Sequence, residues 1–114
     1  MQYFSNYTLS KRYHDIYNKY IKCIYYQQYD ENCWTLDGVY HNLKNPADIW
    51  NDGTKCWYIN GKRHREGDLP AIIYSNGDKY WYVNGKRHRE GDLPAVIYDS
   101  GGQEWWMNGK RLLR

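Results

Sequence analysis

Trp57-Tyr58-Ile59-Asn60-Gly61-Lys62-Arg63-His64-Arg65-Glu66-Gly67-Asp68-Leu69-Pro70-Ala71-Ile72-Ile73-Tyr74 returns 24 residues later as Trp81 to Tyr98. Only two positions change, Ile59 to Val83 and Ile72 to Val96. A third copy starts at Trp105 and runs through Asn108-Gly109-Lys110-Arg111. Near-identity at a fixed period marks one supersecondary unit stacked several times. Such an array presents an extended surface rather than a single pocket, so binding or scaffolding is the first expectation.

A worn copy lies upstream. Trp34-Thr35-Leu36-Asp37-Gly38 aligns with Trp57 to Gly61, His41 with His64 and Pro46-Ala47 with Pro70-Ala71. Trp50 falls on Tyr74, and Asp52-Gly53 on Asn76-Gly77. The offset is 23, so one residue is missing, most naturally within Leu43-Lys44-Asn45. Ile24-Tyr25-Tyr26 weakly matches Ile72-Ile73-Tyr74. Before it, Leu9, Tyr13, Ile16, Tyr17, Tyr20, Ile21 and Ile24 fit a helical stripe. Tyr and Ile also form strands, and Lys11-Arg12-Tyr13-His14 resembles a worn Lys-Arg-His element. The segment is open between a short helix and a degenerate copy. The expected division is a cap at 1–23 and an array at 24–114, with units 24–33 (partial), 34–56, 57–80, 81–104 and 105–114 (partial).

The unit itself reads as β. Ala71 to Tyr74 and Lys79 to Val83 are rich in β-branched and aromatic residues, and Asn76-Gly77 between them is a strong hairpin signal. Asn60-Gly61 and Asn84-Gly85 close the neighbouring hairpins. Gly67-Asp68-Leu69-Pro70 adds a turn or bulge, since Pro70 cannot donate to a ladder. The expected fold class is all-β, an antiparallel meander of repeated β-hairpins with about two strands per unit.

Two-residue loops fix the expected register. Asn76-Gly77 would set Ile73 against Tyr80 and Ile72 against Trp81; Asn84-Gly85 would set Tyr82 against Arg87. Opposed residues share a face. One face would then hold Ile73, Tyr80, Tyr82, Arg87 and Arg89, the other Ile72, Tyr74, Trp81, Val83 and His88. Trp57, Trp81 and Trp105 would form a ladder with Trp81 the most buried; Tyr58, Tyr82 and Trp106 would form a second.

Composition fits a thin sheet. Hydrophobic residues make up 41% and mean hydropathy is −1.03, with 14 Tyr and 6 Trp standing in for aliphatic core. Tyr and Trp combine large contact area with a polar tip. No stretch approaches the ~20 apolar residues of a membrane span. Met1 to Asn6 lacks an apolar run, so no signal peptide is expected. The expected location is cytoplasmic (host cytoplasm, or virion if viral), not secreted. Cys33 and Cys56 hold equivalent positions roughly 10 Å apart at two strands per unit, beyond the ~7 Å limit for a disulfide. With Cys23 unmatched, three reduced thiols are expected.

Trp-x-x-Gly-Lys-x-His, followed by a Gly, a Tyr and a further Gly turn at a period near 23, resembles the MORN (membrane occupation and recognition nexus) repeat. The variant with Asp-Leu-Pro-Ala-x-Ile-Tyr is similar to uncharacterised repeat proteins of giant DNA viruses and phages. Arg65 and Arg89 stand where MORN repeats have a Gly after the His. The resemblance covers 31–114 and implies the MORN fold, with lipid head groups and other proteins as partners.

His64 and His88 with Glu66 and Asp68 invite a catalytic reading. No nucleophile stands beside them, and an active site rarely needs two identical copies, so no enzyme is expected. Cysteine and histidine spacing offers no zinc site, and no metal or cofactor is expected. Lys62-Arg63-His64-Arg65 and Lys86-Arg87-His88-Arg89 could bind phosphates beside aromatic rings. Against that, Arg87 and Arg89 can stack on Tyr82 and Tyr80, and net charge is only +3. The expected function is a non-enzymatic protein-interaction or structural scaffold, of viral origin. The alternative is anionic-lipid or nucleic-acid binding through the basic–aromatic strips. The candidate surface is Trp57, Tyr58, Arg63, Arg65, Trp81, Tyr82, Arg87, Arg89, Trp105 and Trp106. Leu112 and Leu113, at the His88 and Arg89 positions of the last copy, are the candidate assembly residues for a protein partner or self-association.

Overall fold

A computed structural model describes residues 21–23, 32–36 and 38–114. Among these residues all regular structure is antiparallel β, and no helix is present. The strands are β1 (Ile21–Cys23), β2 (Asn32–Leu36), β3 (Val39–Tyr40), β4 (Asp48–Ile49), β5 (Lys55–Cys56), β6 (Tyr58–Ile59) and β7 (Lys62–Arg63). Then follow β8 (Ile72–Ile73), β9 (Lys79–Tyr80), β10 (Tyr82–Val83), β11 (Lys86–Arg87), β12 (Val96–Ile97), β13 (Gln103–Met107) and β14 (Lys110–Leu112). One sheet runs β1-β2-β4-β5-β8-β9-β12-β13-β14 with β3 beside β2; β6-β7 and β10-β11 are two-stranded wings. Ile21, the described member of the proposed helical stripe, is in strand β1. Leu9, Tyr13, Ile16, Tyr17, Tyr20 and Ile24 lie outside the described residues, as do Lys11–His14 and Tyr25–Tyr26.

Two kinds of hairpin alternate. Asn60-Gly61, Asn84-Gly85 and Asn108-Gly109 have positive φ at both positions, the signature of a type I′ turn. Tyr82 accordingly faces Arg87 and Val83 faces Lys86, as expected. At Asn76-Gly77 the expectation fails. Ile72 pairs with Tyr80 and Ile73 with Lys79, one residue away from the two-residue register. The loop is Ser75-Asn76-Gly77, with the Gly77 amide donating to Tyr74 O at 2.9 Å and the Tyr74 amide to Asp78 O at 2.9 Å. Gly77 has positive φ there and Asn76 does not, which is a three-residue loop closed by a left-handed residue. Gly53 and Gly101 close equivalent loops.

This slip redistributes the faces. Cys33, Asp48, Cys56, Ile72, Tyr80, Val96 and Glu104 oppose one another in a single cross-strand row. Ile72, Tyr74, Tyr80, Tyr82 and Arg87 therefore share one face, and Ile73, Trp81, Val83 and His88 the other. Ile72 and Tyr74 have changed sides relative to the expectation, and Ile73 has crossed the opposite way. Cys56, Ile72 and Val96 are essentially inaccessible, yet among the described residues no second layer of secondary structure covers them. Tyr58, Tyr74, Tyr80 and Tyr82 pack around Cys56, Ala71 and Ile72 instead. The core is an aliphatic row roofed by the sheet's own tyrosines, which explains the scarcity of Leu and Phe.

Cys33 is disulfide-bonded, contrary to the three reduced thiols expected. Cys23 stands directly opposite it across β1 and β2. A directly opposed antiparallel pair has Cα atoms about 4.5–5.5 Å apart, within disulfide reach. Cys56 carries a buried thiol.

Gly77 has φ +100, and a Cβ there would come within 2.6 Å of Asp99 Oδ1. Gly77→Ala is expected to cost about 1–2 kcal/mol, the penalty for a left-handed L-residue. Gly101→Ala meets nothing within 4 Å and has φ +103. Equal urea midpoint shifts for the two would show that the backbone sets the cost and that the Asp99 side chain yields.

Candidate interaction surface

Each Asn-Gly turn docks on the unit before it. The Asn84 amide donates to His64 Nδ1 at 3.0 Å, and the Gly85 amide to Arg63 O at 2.8 Å. Asn108 and Gly109 repeat this on His88 and Arg87, and Asn60 and Gly61 on His41 and Tyr40. An Nδ1 that accepts an amide carries no proton, so the proton of His64 and His88 lies on Nε2. There each faces a carboxylate, Glu66 or Glu90, at 2.5 Å. Burial holds the His41 pKa below its ordinary value. Both ring nitrogens of His64 and His88 are engaged, which leaves neither available as a general base. The sequence placed these histidines near Trp but gave no sign of the turn amide.

Each repeat Trp is covered by an arginine, not by another Trp. The guanidinium of Arg65 lies 3.7 Å from the Trp57 ring centroid, and that of Arg89 lies 3.9 Å from Trp81. Arg65 Nη1 donates to Pro70 O, and Arg89 Nη1 to Pro94 O. Asp68 takes a fork from Arg89, at 2.9 Å from Nε and 3.3 Å from Nη2. The Asp68 carbonyl also accepts Trp81 Nε1–H, and the Asp92 carbonyl accepts Trp105 Nε1–H. No ring contact joins Trp57, Trp81 and Trp105 among the described residues, so the expected ladder is absent. Trp57 is 6% exposed and Trp81 7%, so Trp81 is not the most buried. Trp57 Nε1 is buried without a hydrogen-bond partner. The loop before it is one residue short and turns instead on Asn42 Oδ1, which accepts the amides of Lys44 and Asn45.

The opposite face carries an alternation of arginines and rings. Tyr40 and Tyr58 are in ring contact at 4.9 Å. Arg63 lies 5.5 Å from the Tyr82 centroid. Burial works against the Arg63 charge, but hydrogen bonding to Tyr58 and the nearby phenols outweigh it and raise its pKa. Arg87 lies 5.1 Å from Tyr80 and 4.8 Å from Trp106, with Nε donating to Tyr82 Oη. Neither arginine stacks on the expected ring: Arg87 lies over Tyr80 and Trp106 and only hydrogen-bonds the Tyr82 hydroxyl, and Arg89 lies over Trp81. Edge contacts link Trp50, Tyr74, Tyr80 and Tyr98 in a further aromatic row. Tyr98 donates to Glu104, which first of all pushes its pKa up to about 12.

The candidate residues thus divide between two faces. Tyr58, Arg63, Tyr82, Arg87 and Trp106 line one; Trp57, Arg65, Trp81, Arg89 and Trp105 line the other. At the last unit Leu112 is half-buried opposite Trp105 in β14, and Leu113 is 95% exposed. Neither takes the role of Arg89. Arg114 reaches over the Trp105 ring at 5.4 Å and pairs with Asp92.

On the Trp face, an open groove of about 470 Å³ separates successive Gly-Asp-Leu-Pro loops, with Leu69, Val83 and Leu93 among its walls. A smaller groove of about 170 Å³ follows, lined by Leu93, Met107 and Leu112. Sequence reasoning missed Leu69 and Leu93, although their recurrence beside a turn proline was visible. Among the described residues, no three His, Cys, Asp or Glu side chains converge as metal ligands. Nor is any helix there long and apolar enough to cross a membrane. Compared with protein-family models, curated proteins and solved structures, the chain matches none.

Proposed function

We propose that this chain is a non-enzymatic, MORN-like hairpin array that serves as a protein-interaction or structural scaffold. One observation carries the reading: the arginines of the basic strips are engaged within the fold. Arg65 and Arg89 cover Trp57 and Trp81, Arg63 lies over Tyr82, and Arg87 lies between Tyr80 and Trp106. A polyanion site needs cations whose counterions are released on binding. Here Arg89 already has a carboxylate partner in Asp68, and Glu66 and Glu90 stand beside the same strips.

Lys62 and Lys86 are the exposed cations that remain on those strips. The chain is expected to show no tight binding to single-stranded oligonucleotides or phosphatidylserine vesicles at physiological salt. Fluorescence anisotropy and vesicle co-sedimentation measure this. Micromolar binding that weakens steeply with salt and vanishes in the Lys62→Glu/Lys86→Glu variant would replace the scaffold reading with a polyanion-binding one.

A further inference from the structure

We propose that the two successive grooves on the Trp face bind an extended, basic–apolar segment of a partner protein, with one apolar side chain seated per unit. The segment is in the polyproline II conformation. This rests on the protein-interaction reading above and names the kind of partner.

Three observations converge. The first is exposed apolar surface that recurs with the unit. Leu69, Val83 and Leu93 are 45%, 38% and 41% exposed. All three line the larger groove, and Leu93 is shared with the smaller one. The indole faces beneath are covered by Arg89 and Arg114. An occupant therefore meets leucine and valine side chains, not an open ring, which favours an aliphatic residue over a base or sugar.

The second is spacing. Two strands per unit at about 4.8 Å each put successive grooves about 9.6 Å apart. Three residues of polyproline II rise about 9.3 Å, and its threefold symmetry returns every third side chain to the same side. A β-strand covers a similar distance in three residues but turns the third side chain to the opposite face. The groove period therefore selects polyproline II over a strand.

The third is charge. Asp68 and Asp92 at the groove edge are paired with Arg89 and Arg114. The Glu66 and Glu90 side chains are each 78% exposed. Each touches the Nε2 edge of a histidine whose Nδ1 accepts a backbone amide. Both carboxylates line the larger groove. A Lys or Arg of the segment seated there complements them.

Isothermal titration with (Leu-Pro-Lys) repeated four times tests this on the full chain. The expected result is micromolar affinity, about tenfold or more weaker for (Leu-Pro-Glu) repeated four times and for a peptide of the same composition without the three-residue period. Leu69→Asp/Leu93→Asp, both at exposed sites, abolishes binding while circular dichroism is unchanged. Glu66→Gln/Glu90→Gln keeps an acceptor for each histidine and weakens binding several-fold, with loss of its salt dependence. Equal affinity for the three peptides overturns the proposal, as does binding that survives the Leu69/Leu93 change or no binding at millimolar peptide. A dimer in analytical ultracentrifugation that dissociates in the Leu69/Leu93 variant would assign the grooves to a second copy and also overturn it. Oligonucleotide or vesicle binding through Lys62 and Lys86 sinks the scaffold reading but leaves the peptide result unaffected; peptide failure without polyanion binding sinks this inference alone.

Discussion

Trp81→Ala is expected to destabilise the chain by roughly 3–5 kcal/mol, as for a core aromatic deletion. Trp81 is 7% exposed, lies under the Arg89 guanidinium and donates Nε1–H to Asp68 O. Among the described residues no second layer stands behind it, so filling the void means moving the Gly67-Asp68-Leu69-Pro70 loop that accepts its Nε1–H. Arg89 loses its ring but keeps Asp68 and Pro94 O. Trp105→Ala should cost less, because Trp105 is half-buried and its arginine sits farther away, at 5.4 Å. Phenylalanine separates packing from hydrogen bonding. Trp81→Phe loses a hydrogen bond worth about 0.5–1.5 kcal/mol, whereas Trp57 Nε1 has no partner to lose. Trp57→Phe should therefore be the milder change in urea denaturation. A loss below about 1 kcal/mol for Trp81→Ala would mean that the indole does not support the fold.

The architecture was legible where chemistry is local. Asn84-Gly85 requires two positive φ values, and that turn set the register of Tyr82 and Arg87 correctly. Asn76-Gly77 carries the same letters but forms a three-residue loop. Asp78 contributes to the choice, because Asn76 Oδ1 accepts its amide and Asp78 Oδ1 accepts the Asp99 amide of the next unit. That second contact is long-range, and the dipeptide does not display it. The same limit applies to the Trp series. Periodicity put Trp57, Trp81 and Trp105 at equivalent positions, but which side chain covers each ring depends on Arg89 folding back beyond the strand end. The Cys33 bridge was missed because β1 lies in the segment where the copies are too worn to align. Leu112 and Leu113 were read as histidine and arginine substitutes, and Arg114, one position farther on, took the arginine's place over Trp105.

Removing the histidine locks should uncouple the units. His64→Ala and His88→Ala are each expected to cost roughly 1–2 kcal/mol, through the lost acceptor for the next turn and the lost ring packing. The two sites lie in different unit interfaces, so the double variant should lose about 2–4 kcal/mol. Their side chains are 13% and 11% exposed, which makes the ring contribution substantial. Glutamine at either position offers a carbonyl to the Asn84 or Asn108 amide and should recover part of the loss. Acid tests the same device at His41, whose Nδ1 accepts the Asn60 amide at 2.8 Å. Its folded pKa is lowered by burial below the ordinary 6.5, so just below 6.5 the unfolded chain binds a proton that the folded chain excludes. The stability it contributes is complete above about pH 6.5 and is lost as pH falls through the folded value. Urea midpoints for wild type should drop between about pH 7.5 and pH 5.5, and His41→Gln should flatten part of that slope. An unchanged slope in His41→Gln, together with losses under about 0.5 kcal/mol in the alanine variants, would show that the turns hold to the preceding unit through the Gly amides alone.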